Sequence, residues 1–204
     1  MDLPGDLALP LTSGAPWWYW LGGRPALDFV NTRRERWWRD VETLVTPSDL
    51  VRWLLQAGLL DQTATSTSAQ VHAAHRLREA INAGIQAATD NTPIPPRAIG
   101  EINSWLAYAS PVLRLEASED DHPYLIAALP PDVIRHALAR VALDAAYLLG
   151  TENHRDRLRI CASPTCSARF YDASRAATRR WCSMQGCGNA AKARRHRARS
   201  DHAA

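Results

Sequence analysis

The four cysteines of the chain form two pairs near its carboxyl end, and this arrangement is typical of a zinc site. Cys161 and Cys166 are separated by four residues, as are Cys182 and Cys187, and fifteen residues lie between the pairs. Thiolates are preferred ligands of structural zinc, and two short clusters joined by a hairpin-length connector can surround one ion. The spacing therefore predicts one structural zinc ion bound by all four sulfur atoms.

Two other uses of the cysteines fit the sequence less well. The chain has no secretory signal and no apolar run of about 18 residues, so we expect a cytoplasmic protein without a membrane span. A reducing compartment disfavours disulfides. A catalytic zinc normally keeps an open position, and the H-x-E element of zinc deaminases is missing, as is any Ser/His/Asp signature. We therefore predict no enzymatic activity and no catalytic residues.

The elements that must position the sulfur atoms can be predicted from the residues around them. Arg159 and Ile160 lead into the first pair, and the segment 169–171 returns from it as a strand. A helix follows the last cysteine, with Asn189 as its expected N-cap. A knuckle, a hairpin and a terminal helix make up a small α+β, treble-clef-like zinc finger. Phe170 and Trp181 are the only large aromatic side chains free to form its small core, so we expect zinc binding and folding to be coupled.

Charge separates the finger from the rest of the chain. Residues 151–204 contain twelve Lys or Arg against four acids, whereas residues 1–150 contain twelve against seventeen. The helix over 189–199 carries bases among alanines, with Lys192, Arg195 and Arg199 along one stripe. Such an imbalance favours a polyanionic partner, and we predict DNA. The predicted nucleic-acid contacts are Arg175, Arg179, Arg180, Asn189, Lys192, Arg194, Arg195, Arg197 and Arg199.

The sequence leaves other partners open. RNA would satisfy the same basic helix, the helix could be a solvated tail, and the finger could be a zinc-stabilised protein-interaction module without direct DNA contact.

Residues 1–150 are expected to be mainly α-helical. Residues 1–16 are rich in Pro and Gly and predict a flexible arm, 17–150 a helical domain with a possible short hairpin near 111–129, and 151–204 the finger. Thr46, followed by Pro47 and Asp49, predicts a helix start, and Gly58 its end. The domain is expected to sense a small-molecule effector or to form a homodimer. Its tryptophans predict either core packing or a ligand pocket formed by Trp17, Trp18, Trp20, Trp37 and Trp38.

Two stretches resemble known families. The carboxyl-terminal stretch CASPTC…FYDASR…RRWCSMQGCGNAAKARRHRAR resembles the CGNR zinc finger, and LGGRPALDFVNT with SDLVRWLLQAGLL resembles the ABATE domain that precedes this finger in bacterial proteins. The resemblance implies zinc ligation by the four cysteines and a stress-induced regulator of transcription. The chain departs from the finger motif at Ala190, where the family has arginine. If that arginine contacts DNA, this chain binds DNA more weakly or through other residues, and if it only pairs with a neighbouring acid, little is lost. Zinc binding is unaffected in either case.

Overall fold

The computed structural model describes residues 18–118, 122–128 and 130–201. The predicted arm, residues 1–16, lies outside this part of the chain, as does Trp17. Among the described residues, no helix is both long enough and apolar enough to cross a membrane. The helices are α1 (Pro25–Val30), α2 (Pro47–Gln56), α3 (Ser68–Thr89), α4 (Pro96–Leu106), α5 (Val133–Gly150), α6 (Glu152–Arg155) and α7 (Asn189–Asp201), with a π-helical turn at Met184–Gly188. The strands are β1 (Arg33–Arg34), β2 (Val41–Glu42), β3 (Val112–Glu116), β4 (Tyr124–Ala128), β5 (Leu158–Ile160) and β6 (Arg169–Tyr171).

Three helices form the centre of the amino-terminal region. Helices α3, α4 and α5 pack against one another, and α1 packs on both α3 and α5. The side chains predicted to form the apolar stripes of α3 and α5, among them Leu77 and Val141, are fully buried. Gly84 permits the close approach of α3 to α5, because a Cβ at this position would lie 2.6 Å from Cδ1 of Leu149. The helical periodicity of the sequence therefore corresponds to the core.

Capping residues fix both ends of helix α2. At the start of α2, the Thr46 hydroxyl accepts a hydrogen bond from Asp49 N, and the Asp49 carboxylate accepts one from Thr46 N. This reciprocal pair satisfies two backbone donors that a helix start leaves unpaired. Gly58 follows the end of α2 with a φ of 66°, a left-handed conformation that glycine adopts without strain. Both predicted ends of α2 are confirmed.

Helix α1 is an element that the sequence pattern did not predict. Its six residues, PALDFV, form a short helix. Arg24, which precedes α1, forms an ion pair with Asp144 of α5, and the same carboxylate accepts a hydrogen bond from Ala26 N at 3.0 Å. Contacts with α5 therefore stabilise a helix too short to be stable by itself.

The three strand pairs are all antiparallel two-stranded ribbons. Strands β3 and β4 form the hairpin anticipated near 111–129, with Leu115 opposite Leu125. Strands β5 and β6 form a second hairpin, in the finger, with Arg159 opposite Phe170. The fold is thus mainly α-helical with a small α+β finger at the carboxyl end, which confirms the predicted fold class.

Candidate metal centre

The first pair of cysteines lies at the tip of the β5–β6 hairpin. Cys161 N donates to the carbonyl of Ala168 at 2.9 Å, which continues the ladder beyond β5. Within the tip, Cys166 N donates to the carbonyl of Ser163 at 3.2 Å, and Ala168 N lies 3.5 Å from Cys166 Sγ, which accepts its hydrogen bond. The hairpin therefore holds both sulfur atoms on one side of a tight turn.

The second pair lies where the last helical segment begins. Ser183 caps this segment, because its hydroxyl accepts a hydrogen bond from Gly186 N and its carbonyl accepts one from Gly188 N. Cys187 thus lies in the first helical turn, the π-helical turn at Met184–Gly188. The prediction that Asn189 is the N-cap is wrong, since Asn189 already has helical backbone angles.

All four sulfur atoms converge on one point. They lie within 4.8 Å of one another, and all four residues are buried. The Cys166–Cys182 and Cys182–Cys187 sulfur atoms are both 3.8 Å apart. A tetrahedron with zinc–sulfur bonds of about 2.3 Å has edges of about 3.8 Å, whereas a disulfide bond measures about 2.05 Å. The four cysteines therefore form a closed tetrahedral site for one zinc ion, as predicted.

Two buried arginines supply positive charge beside the sulfur atoms. Arg34 of β1 and Arg169 of β6 are both only 2% exposed. Burial lowers the pKa of both guanidinium groups, that of Arg169 to about 10, while the nearby Cys166 acts in the opposite direction. Four thiolates with one zinc ion carry a net charge of −2, which two buried cations offset. The helical region thus contributes Arg34 to the electrostatics of the metal centre.

The small core around the cysteines includes residues from outside the finger. Besides Phe170, which is fully buried, it contains Tyr19 from the start of the described chain, with Leu21 and Trp181 packed against it. The guanidinium of Arg34 lies 3.5 Å from the centre of the Tyr19 ring. Conversely, Leu158 of β5, in the finger, packs in the core of the helical region. Each region therefore contributes an apolar side chain to the core of the other.

Side-chain and backbone hydrogen bonds attach the finger to the helical region along the outer edge of β6. Asn31 binds the backbone of Arg169 twice, since its Nδ2 donates to the carbonyl at 2.9 Å and its Oδ1 accepts from the amide at 2.8 Å. Two residues on, Tyr171 N donates to the carbonyl of Gly22 at 2.8 Å. Asn31 and Gly22 thereby satisfy backbone groups that a neighbouring strand would otherwise pair.

Gly22 can occupy this position only because it has no side chain. A Cβ there would lie 2.7 Å from Cβ of Leu27 and 2.8 Å from the backbone nitrogen of Asp28. A further attachment comes from Trp37, whose Nε1 donates to the carbonyl of Pro164 at 3.0 Å. The cysteine-bearing turn between β5 and β6 is thus held from the helical side as well.

The three arginines predicted in the connector between the cysteine pairs have different environments. Arg175 and Arg180 are exposed. Arg179 is directed inward, where its Nη2 donates to the carbonyl of Cys182 at 2.9 Å and its guanidinium lies 4.9 Å from the Phe170 ring centre. Its side chain therefore supports the second cysteine pair.

Helix α7 carries its basic side chains into solvent. Every residue from Lys192 to Ser200 is exposed, and only Ala191 at its start is buried. Asn189 is exposed, although its Nδ2 donates to the carbonyl of Gln185 at 3.3 Å. Ala190, at the position of the family arginine, is exposed too. A longer side chain at 190 would therefore extend into solvent from a turn that adjoins the zinc ligand Cys187.

The described tryptophans of the predicted pocket lie in separate environments. Trp18 belongs to the main core, Trp20 stacks on Trp53 with ring centres 5.8 Å apart, and Trp38 lies beside Arg39. Trp37 binds the finger, as described above. A cavity of about 360 Å³ lies elsewhere, between the α2–α3 connection, the end of the β3–β4 hairpin and α5, and none of these tryptophans lines it.

The residues that attach the finger to the helical region were not among the predicted site residues. Tyr19, Leu21, Gly22 and Asn31 lie within or just before the stretch LGGRPALDFVNT, which carried the family resemblance. The sequence signal for this role was the Gly22–Gly23 pair and Asn31 in a stretch that carries no recognisable catalytic or metal-binding motif. Such a pattern is consistent with a close backbone contact.

Two family models match the chain. ABATE, described as "putative stress-induced transcription regulator", matches residues 23–152, and the CGNR zinc finger matches residues 157–200. A search of the curated proteins found no match.

Proposed function

The chain belongs to the ABATE family and ends in a CGNR zinc finger, and on this premise we propose that it is a zinc-dependent transcriptional regulator that binds DNA through the finger. The observation that carries the proposal is the exposed basic surface of α7. Lys192, Arg194, Arg195, Arg197 and Arg199 are all exposed, and none forms an ion pair with a described residue. These side chains are available to phosphates.

The charge of the finger supports a polyanionic partner. Residues 151–204 have a formal charge of +8, and the zinc–thiolate centre reduces it to about +6. Helix α7 begins directly after a zinc ligand, so the metal fixes the position of its first turn. Positive side chains on a rigidly held helix bind phosphates and release counterions from DNA.

Within this surface we assign different roles to the predicted contacts. Lys192, Arg195 and Arg199 lie along one stripe of α7 and are the proposed primary phosphate contacts. Arg194 and Arg197 lie mostly on the opposite side, and Arg175, Arg180 and Asn189 can extend the surface toward the zinc. Arg179 contributes indirectly, because its side chain donates a hydrogen bond to the Cys182 carbonyl and so positions the second cysteine pair.

We assign signal reception and dimerisation to the amino-terminal region, residues 17–150. We assign DNA binding, in the bacterial cytoplasm under stress, to the finger, residues 151–204. Support comes from the attachment of β6 to Asn31 and Gly22, since a change in the helical region would reach the finger through these contacts. No enzymatic activity is assigned, because four cysteine ligands leave no coordination position open for a substrate.

Fluorescence anisotropy with zinc-loaded protein and labelled duplex DNA tests the proposal in a salt titration. Contact with five phosphates predicts a slope of about −4 to −5 for log K against log salt, at about 0.9 per phosphate. The triple variant Lys192→Ala/Arg195→Ala/Arg199→Ala should keep its zinc and reduce the slope by about 2.7. The variant Arg76→Ala/Arg97→Ala/Arg135→Ala removes the same charge from exposed positions of the helical region and should leave the slope unchanged.

Three outcomes would contradict DNA binding by α7. Absence of binding at low salt by zinc-loaded protein would favour a protein-interaction module. Equal effects of the two triple variants would mean that net charge alone attracts the DNA. Preferential displacement of the duplex by single-stranded or duplex RNA would identify RNA as the partner.

A further inference from the structure

The β3–β4 hairpin projects from the helical region with little support. Strands β3 and β4 contact chiefly each other, and ten residues pair in five antiparallel positions from Val112–Ala128 to Glu116–Tyr124. An isolated two-stranded hairpin is marginally stable in water, and further strands or a packed apolar face are needed to stabilise it. The hairpin therefore lacks, within the described chain, the contacts that such an element requires.

One face of this hairpin is apolar and exposed. Residues directly opposite each other in an antiparallel pair share a face, so Leu113, Leu115, Leu125 and Ala127 lie together. The three leucines are 59%, 65% and 63% exposed. Arg114 and Glu116 lie on the other face, where their side chains approach only to 3.9 Å. Exposed leucines clustered on one face of a hairpin indicate a surface that takes part in an interaction.

The outer edges of the hairpin are also unpaired. The sheet contains only β3 and β4, and among the described residues no further strand pairs with either. An exposed strand edge is a template for pairing with another chain, and natural proteins usually protect it with a bulge, a proline or a cover. Strand β3, with the sequence VLRLE, contains no proline.

We propose that β3 pairs antiparallel with β3 of a second copy of this chain, about a two-fold axis at Leu115. This pairing forms a continuous four-stranded sheet, β4–β3–β3–β4, with the leucines of both copies on one face. Leu115 then lies opposite Leu115 of the second copy. A symmetric contact of this kind closes on itself and produces a dimer.

Charge complementarity selects this partner and this register. With the axis at Leu115, Arg114 of each copy lies opposite Glu116 of the other, which creates two equivalent cross-strand ion pairs. Moving the axis by one residue, to Arg114, would place Arg114 opposite Arg114 of the other copy, and an axis midway between Arg114 and Leu115 would place Leu115 opposite Arg114. The edge of β4, with the sequence YLIAA, has no charged residue that could form such a pair. A second copy therefore matches β3 in both polarity and charge.

Sedimentation velocity on the zinc-loaded full chain, without DNA, tests this inference independently of DNA binding. We expect the wild-type protein to form a dimer. Arg114→Glu and Glu116→Arg should each weaken dimerisation by about tenfold or more, because two attractive pairs become two repulsive ones. The double variant Arg114→Glu/Glu116→Arg restores opposite charges across the axis and should dimerise again. Arg97→Glu, an exposed charge reversal on α4, is the matched control and should not weaken dimerisation.

Three results would contradict this inference. A wild-type protein that stays monomeric at the highest soluble concentration would overturn the inference. A dimer unaffected by both single reversals would place the interface elsewhere. A double variant that stays monomeric while the single variants are also monomeric, with native circular dichroism, would exclude the register about Leu115.

Discussion

Replacing Asn31 by alanine should loosen the finger from the helical region and destabilise the whole chain. Asn31 is 2% exposed and its amide makes two hydrogen bonds to the backbone of Arg169, which is also 2% exposed. Alanine cannot replace either bond. The variant therefore leaves a buried N–H and a buried C=O of β6 without partners, at a place from which water is excluded.

The magnitude follows from those two groups. Leaving one buried polar group unsatisfied costs about 1–3 kcal/mol, so two groups cost roughly 2–6 kcal/mol in the free energy of unfolding. With a urea m-value of about 2–3 kcal/mol per molar, the unfolding midpoint should fall by roughly 0.7–3 M. The matched control is Asn153→Ala, an exposed asparagine of α6, which should change stability by no more than about 0.5 kcal/mol.

Urea unfolding of zinc-loaded protein, followed by circular dichroism and by tryptophan fluorescence, measures this difference. Trp37 donates to the finger carbonyl of Pro164, so its emission should report detachment, and a zinc-sensitive dye added to the same samples should report metal release. We expect the midpoints of unfolding and of zinc release to fall together in Asn31→Ala. A midpoint equal to that of Asn153→Ala would refute the reasoning, because it would show that the Asn31 bonds do not hold the finger.

Three further predictions concern single positions. Ala190→Arg restores the family arginine at an exposed position and should steepen the salt slope of DNA binding by about 0.9 in anisotropy titrations. Burial raises the pKa of Asp28 to about 6 from an ordinary 3.8, so the unfolded state loses this proton first and wild-type stability should decline between about pH 4 and pH 6. Asp28→Asn should therefore gain about 3 kcal/mol in stability relative to wild type as the pH rises through that range, as measured by urea unfolding. Cys187→Ser should lower the zinc content below one ion per chain in metal analysis and reduce the helical circular dichroism of α7.

Features fixed by neighbouring residues could be predicted from the sequence. The two ends of α2 depend on Thr46, Asp49 and Gly58, which act within a few residues of themselves. The zinc ligands could also be recognised, because the chemistry of thiolates and their spacing limit the possible sites. In each case the interaction that determines the structure is local in sequence or restricted to one residue type.

Other features depend on contacts between distant parts of the chain. Asn31 and Arg169 are 138 residues apart, and no local pattern indicates that an asparagine side chain pairs with a strand edge. Arginines are seldom buried, and the burial of Arg34 and Arg169 becomes intelligible only beside the thiolates of the metal centre. The start of the last helical segment was predicted at Asn189 but lies at Ser183, because the π-helical turn at Met184–Gly188 precedes α7. Gly188 lies inside this turn, where a Cβ would approach Sδ of Met184 to 2.9 Å.

Zinc binding and the contacts from the helical region are thermodynamically coupled, and the coupling free energy is the same in both directions. The helical side supplies Tyr19, Arg34 and Asn31 to the surroundings of the finger, so zinc binds a folded finger whose stability includes these contacts. Binding free energies are reciprocal. If Asn31→Ala weakens zinc binding by a given factor, then removal of zinc must weaken the Asn31 contact by the same factor. Any ligand or dimer contact that shifts the Asn31 segment would therefore change zinc affinity, and with it the position of α7, without touching the cysteines.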